Sequence, residues 1–360
     1  MGQKLRWTIY ALNSIFLLYS VIDRVTPPEK WRYAITVEKL NHNNMMKAFV
    51  KNKYGGPEVL HLDEVEKPAL KDNHVLVRVK ANSANPADWH ILRGEPFFAR
   101  FSFGLLKPKN KILGADFAGV VEAVGKHVTH FNVGDRVFGE SLQGGAFAEY
   151  ICAPQHACGK MPESTGFLDM ASMPIAGVTA LQALDTHGNL KAGESVLING
   201  SSGGVGHFAV QIAKAYGAKV MAVCSSRNTD FVKDLGAHEV IAYDKENIHK
   251  HDGAYDLVVD THGNLFLQDF KRMGKRGVLV GFTTMSHMMG LLIKAGFSKF
   301  PLTQFTAEAS TQDLEKLAAL LQRGELSVHI EKTYPYQQIP EAIAYIEAMR
   351  TRGKVAMDWE

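Results

Sequence analysis

Residues 195–217 read SVLINGSSGGVGHFAVQIAKAYG: an apolar run, a glycine-rich turn and a helical pattern in immediate succession. Val196, Leu197 and Ile198 fit a buried parallel strand, while Val205, Ala209, Ile212, Ala213 and Tyr216 recur at helical spacing. Between them Ser201, Ser202, Gly203, Gly204, Val205 and Gly206 face whatever lies above the strand end. Bare glycines let backbone approach a phosphate, and the first N–H groups of the helix carry its positive end. This is the chemistry of a dinucleotide pyrophosphate site, with Ser201 at the first glycine position of the usual fingerprint.

The next apolar run, residues 219–224, ends on Ser225, 19 positions past Gly206. NAD-binding chains place an acid about 20 residues on, against the ribose hydroxyls. Here the chain reads Ser225, Ser226, Arg227, Asn228. A guanidinium grips a 2′-phosphate with a planar fork where a carboxylate would repel it, so NADP(H) is favoured over NAD.

The elements needed to hold such a site are present. The 360 residues are 46% hydrophobic and 21% charged, enough for about two globular domains. A net charge of +3 with scattered cations and no basic stripe argues against a nucleic-acid partner. Three cysteines, Cys152, Cys158 and Cys224, with no CxxC pair, fit a reducing, cytoplasmic setting rather than a disulfide framework. Residues 1–45 form an N-terminal extension with one apolar run, 7–22, which at sixteen residues is short of the roughly 20 that span a bilayer. A membrane-surface helix, a packed or disordered appendage, and sequence upstream of a start at Met45 or Met46 all remain open.

From Met46 strands are expected at 47–51, 59–65, 74–81, 119–124, 135–138 and 146–152. After Asp169 a helix is expected through 177–187, followed by alternating strands and helices to 282, which gives a parallel sheet covered on both faces. Residues 285–301 read either as a surface helix and loop or as a pocket wall or dimer contact. The tail adds a helix at 339–349 and a last strand at 354–358.

Residues 54–60 (YGGPEVL), 85–88 (NPAD), 113–119 (LGADFAG), 133–137 (VGDRV) and 199–206 together resemble the medium-chain dehydrogenase/reductase superfamily, in its zinc-free quinone oxidoreductase and enone reductase branch. The likeness runs from Met46 to Glu360. It implies an α/β chain: a GroES-like β-rich catalytic domain from residues 46–168 and 325–360, with a Rossmann NADP-binding domain, 169–324, inserted. It also implies Thr179 near the nicotinamide ribose, Tyr243 near the adenosine phosphate, and a turn at Thr261, His262 and Gly263 close to the cofactor. Relatives are commonly dimers or tetramers, so a homodimer is expected.

Zinc members of the superfamily place a cysteine where this chain has Asn85, a Gly-His-Glu where it has Gly114-Ala115-Asp116, and a second cysteine where it has residues 173–176. No metal is therefore expected. Without a metal to stabilise an alkoxide, hydride transfer from NADPH to a quinone or an α,β-unsaturated carbonyl is the expected reaction. Asn85, as an amide for ribose or acceptor oxygen, and Tyr54, as a hydrogen-bond donor to the developing oxyanion, are the expected catalytic residues. Asp88, Trp89 and His90 are weaker candidates. The competing readings are a zinc alcohol dehydrogenase and a non-catalytic, membrane-associated NADPH sensor.

Overall fold

The computed structural model describes residues 44–360. Residues 196–198 are fully buried, as their unbroken apolar run requires, and they form the middle of a six-stranded parallel sheet. Its spatial order is Glu239–Ala242, Lys219–Cys224, Ser195–Asn199, Tyr255–Asp260, Gly274–Leu279, Leu302–Gln304. Numbered along the chain this is 3-2-1-4-5-6, the doubly wound order whose reversal point lies above the first strand. The helix Gly204–Ala215 covers one face through Phe208, Ala209, Val210, Ile212 and Ala213, all buried.

The second sheet is mainly antiparallel and runs Ile330–Pro335, Lys354–Asp358, His74–Ala84, Asp116–Val124, Arg136–Glu140, Cys158–Lys160, with Tyr150–Pro154 also paired to His74–Ala84. Strand His74–Ala84 is eleven residues long, which lets it hold Tyr150–Pro154 at one end and the C-terminal strand at the other. The chain's end thus returns to its β-rich part. Val355 pairs with Ala84 and Ser83 with Asp116. This register brings Lys354 beside Asn85 and Asp116.

Local differences from the sequence pattern have simple causes. Pro57 starts a short turn, Pro57–Val59, so the strand expected at 59 begins at His61. Pro174 occupies the first helical position and moves the start of the expected 177–187 helix back to Pro174–Leu184. The strand expected at 146–152 forms as Tyr150–Pro154. Residues 285–301 hold a helix, Met285–Ser298, whose first turn is capped by the Thr284 hydroxyl accepting from His287 N–H. No helix among the described residues is long and apolar enough to cross a membrane. The apolar run 7–22 lies outside the described residues.

Candidate active site

The glycine turn divides into glycines that shape it and glycines that leave it open. Gly200 has φ +84°, and a Cβ on Gly206 would stand 2.1 Å from the Gly200 carbonyl, so both positions exclude any side chain. Gly203 and Gly204 are different: a Cβ there meets nothing closer than 3.4 Å and 3.5 Å. Their bareness serves whatever approaches the helix N-terminus. Ser201 departs from its expected role. Its side chain is fully buried and Oγ donates to the Val223 carbonyl at 3.0 Å, tying the turn to the neighbouring strand rather than facing a phosphate. Thr261 Oγ1 donates to the Asn199 carbonyl at 2.7 Å and so braces the turn. Val205 packs against the core. Gly263, at φ +80°, donates its N–H to Asp260 Oδ1 and leaves no room for a Cβ against Phe282. Thr179 is half-buried on Pro174–Leu184.

At the far corner Ser225 and Ser226 are half-buried and Arg227 and Tyr243 are exposed. Arg227 Nη2 donates to the Arg350 carbonyl at 3.0 Å, leaving the rest of its fork outside that bond. Residues 225–228 carry no acid, but folding supplies one from the turn that follows the next strand, Glu239–Ala242. Asp244 accepts from Ser226 N–H at 2.7 Å and from Ser226 Oγ at 2.6 Å, bonds that hold its carboxyl below the usual range.

The returning tail adds cations from more than a hundred positions away in sequence. Gly353 N–H donates to the Ser202 carbonyl, so the loop carrying Arg350 and Arg352 lies against the glycine turn. Around it Thr351 Oγ1, Arg352 Nε, His329 Nε2 and His207 Nε2 are buried without protein hydrogen-bond partners. Burial pushes His207 down to about 3, which keeps it neutral. Orphaned buried polar atoms of this kind are rare and call for a ligand or ordered water. Guanidinium and hydroxyl donors beside an open helix N-terminus suit the phosphates of a dinucleotide.

Across from the turn lies a buried polar cluster. Lys354 is 3% exposed and Asp116 fully buried. Lys354 Nζ donates to Asn85 Oδ1 at 2.5 Å and lies 3.4 Å from Asp116 Oδ2. Asp116 also accepts from Asn85 Nδ2, Ser83 Oγ and Ile175 N–H, each at 2.9 Å. Desolvation lowers the Lys354 pKa, opposed by Asp116 and Asp88. Asp88 accepts from Asn85 N–H at 2.8 Å, and its burial raises it to about 7.

Both expected catalytic side chains are otherwise engaged. Asn85 is 2% exposed with each end of its amide bonded inside this cluster, which ties the loop to Lys354 and Asp116. Tyr54 Oη donates to the Gly104 carbonyl at 2.6 Å, with the Arg100 guanidinium over its ring, so its proton is already committed. Polar atoms without partners lie next to them. His90 stacks on Trp89 and stands 5.9 Å from the ring of Phe282, across the seam between the two sheets' loops. His90 Nδ1 and Trp89 Nε1 are buried without partners, and burial lowers the His90 pKa, keeping the imidazole neutral at pH 7. On the other side of Asp88 a cavity of about 180 Å³ is lined by Lys51, Gly114, Ala115, Ser141 and Leu142. Lys51 is 1% exposed, donates to the Ile91 carbonyl, and is pushed by burial down to about 8.

The metal-ligand positions of the zinc enzymes do not form a zinc site here. Asn85 and Asp116 hold an ammonium group, position 115 is alanine, and the 173–176 stretch contributes a backbone N–H to Asp116. Among the described residues no group of three or more histidine, cysteine or acidic side chains converges on a metal position.

A doubly wound sheet with an open glycine turn, facing a β-rich lobe built from both ends of the chain, defines a dinucleotide-dependent oxidoreductase architecture. Comparison with known proteins agrees. Residues 71–163 match the model described as alcohol dehydrogenase GroES-like domain and 235–357 the one described as zinc-binding dehydrogenase. The human quinone oxidoreductase is 35% identical over 83% of this chain and 93% of its own length. The NADPH-dependent alkenal/one oxidoreductase, chloroplastic, of Arabidopsis thaliana is 31% identical over 87% of this chain and 79% of its own. A solved quinone oxidoreductase from Coxiella burnetii superposes with a TM-score of 0.80 at 31% identity, covering 88% of this chain and all of that one. The chain belongs to the medium-chain dehydrogenase/reductase superfamily, among its quinone oxidoreductase-like members, and is an oxidoreductase.

Proposed function

We propose that the protein reduces a quinone or an α,β-unsaturated carbonyl with NADPH and without a metal. The observation that carries this reading is the open Gly203–Gly204 helix terminus, ringed by the unpartnered donors of Thr351 and Arg352 and facing the Asn85–Asp116–Lys354 cluster. When bound, the reduced nicotinamide supplies hydride. The chain's own residues do the rest. Backbone N–H groups of residues 204–206 and the Arg350–Gly353 loop hold phosphates, Ser225 and Arg227 take the 2′-phosphate, and Thr179 borders the nicotinamide ribose. Tyr243 flanks the adenosine phosphate. His90, neutral and with Nδ1 unpartnered, donates a hydrogen bond from Nδ1 to the acceptor oxygen as it gains negative charge. The Lys354 cluster keeps Asn85 and the helix Pro86–Arg93, and hence His90, in register.

The alkenal and quinone activities named for the relatives support this acceptor class, because both accept hydride at carbon or oxygen conjugated to a carbonyl. Asp244 works against the 2′-phosphate, so NADH should also be accepted. Absorbance at 340 nm with purified protein, NADPH or NADH, and quinones, enals, enones and alcohols tests the proposal. Turnover of quinones or enones but not alcohols supports it. Alcohol oxidation alone, or cofactor binding with no turnover, overturns it.

A further inference from the structure

Among the described residues, seven of the fourteen exposed large apolar side chains lie in two short segments. The first holds Phe97, Phe101, Leu105 and Leu106; the second holds Met289, Ile293 and Phe297. Leu106 is 90% exposed and Phe297 89%. Met289, Ile293 and Phe297 are spaced by four, which makes one stripe along the helix Met285–Ser298. Isolated exposed apolar residues need no explanation, but a concentration of this kind marks an interaction surface.

The two segments border one place. Arg100 donates to the carbonyls of Arg93 and Gly94, fastening the first segment to the end of the helix that carries His90. The second begins at Thr284, two residues beyond Phe282, whose ring stands 5.9 Å from His90. Both therefore flank the His90–Phe282 seam.

Charge decides what covers them. Residues 97–111 and 285–301 carry Arg100, Lys107, Lys109, Lys111, Lys294 and Lys299 and no aspartate or glutamate. A second copy meeting this surface through a two-fold axis would oppose cations to cations. Anionic lipid headgroups with acyl chains beneath them match both the cations and the projecting rings. We propose that this rim docks on an anionic lipid bilayer and presents the cleft to it. Uptake of a membrane-dissolved acceptor rests on the reductase reading, whereas the docking itself does not.

Cosedimentation of the full chain with phosphatidylcholine vesicles, and with vesicles containing phosphatidylglycerol as well, tests the docking. Binding is expected on the anionic vesicles and weakens at least about tenfold in Leu106→Glu/Phe297→Glu and at high salt. Turnover of a water-soluble acceptor by that variant stays unchanged, since both side chains project into solvent. Equal vesicle binding by parent and variant would assign the binding to residues 1–43 and overturn the proposal. So would no vesicle binding by the parent, or a variant-sensitive self-association in its place. Loss of turnover with intact vesicle binding would instead strike the reductase reading.

Discussion

Replacing Lys354 with methionine tests the buried cluster most sharply. The ammonium is 3% exposed and serves Asn85 Oδ1 at 2.5 Å and Asp116 Oδ2 at 3.4 Å. Methionine fills similar volume, so packing is nearly conserved and the loss is electrostatic. Asp116 keeps three donors, Ser83, Asn85 and Ile175, but its charge is left without a counter-charge in the protein interior. Removing one member of a buried pair costs about 3–5 kcal/mol, whereas replacing both members often costs little. Urea unfolding of Lys354→Met should show a stability loss of that size with an unchanged denaturant slope, and Lys354→Met/Asp116→Asn should recover at least half of it. Turnover should also fall in the single variant, because Asn85 loses the partner that orients its loop. A loss below about 1 kcal/mol, or a double variant no better than the single one, would refute the reasoning.

His90→Phe keeps the stacking on Trp89 and removes the donor, so kcat should fall roughly 100-fold with NADPH affinity unchanged, measured by single-turnover absorbance and fluorescence titration. Asp244→Asn keeps an acceptor for Ser226 but removes the negative charge, so the NADPH Michaelis constant should drop about three- to tenfold while that for NADH moves little. Glu140 is 4% exposed and raised by burial to about 7, with Oε1 accepting from Ala309 N–H. Because its folded pKa exceeds its unfolded one, its contribution is favourable at low pH and is lost as pH rises through about 7. The stability difference between Glu140→Gln and the parent should therefore shift toward the variant by roughly 2 kcal/mol from pH 5 to pH 8, read by urea unfolding.

What the sequence revealed and what it hid follow from the range of the interactions. The glycine turn is local: strand, turn and helix sit within residues 195–217, so pattern alone located it. The resemblance extended this to the returning C-terminal strands, since an ordered series of motifs carries topology. Cross-chain contacts were not legible. Lys354 meets Asn85 across 269 positions and Asp116 across 238, and only the register between Val355 and Ala84 brings them together. Asp244 reaches Ser226 from the turn after the next strand, 18 positions on, beyond the strand end where an acid is looked for. Tyr54 and Asn85 had suitable chemistry by type, but Gly104 in one case and Lys354 in the other take up their polar groups. His90 stands out through its helical neighbour Trp89, yet the lack of a partner at its Nδ1 is visible only in three dimensions.

The central claim is that the open glycine turn and the Arg350–Gly353 loop together hold a dinucleotide phosphate. Isothermal titration of NADPH into the parent and into Gly204→Asp tests it. A Cβ at position 204 meets only the Gly353 carbonyl at 3.5 Å and Lys354 Cδ at 3.6 Å, so the backbone tolerates a side chain while the carboxylate occupies the anion's place. Saturable, one-to-one heat in the parent, reduced at least about 100-fold in affinity by the substitution, is the predicted result. Equal affinity in both proteins, or no heat in either, would contradict the account.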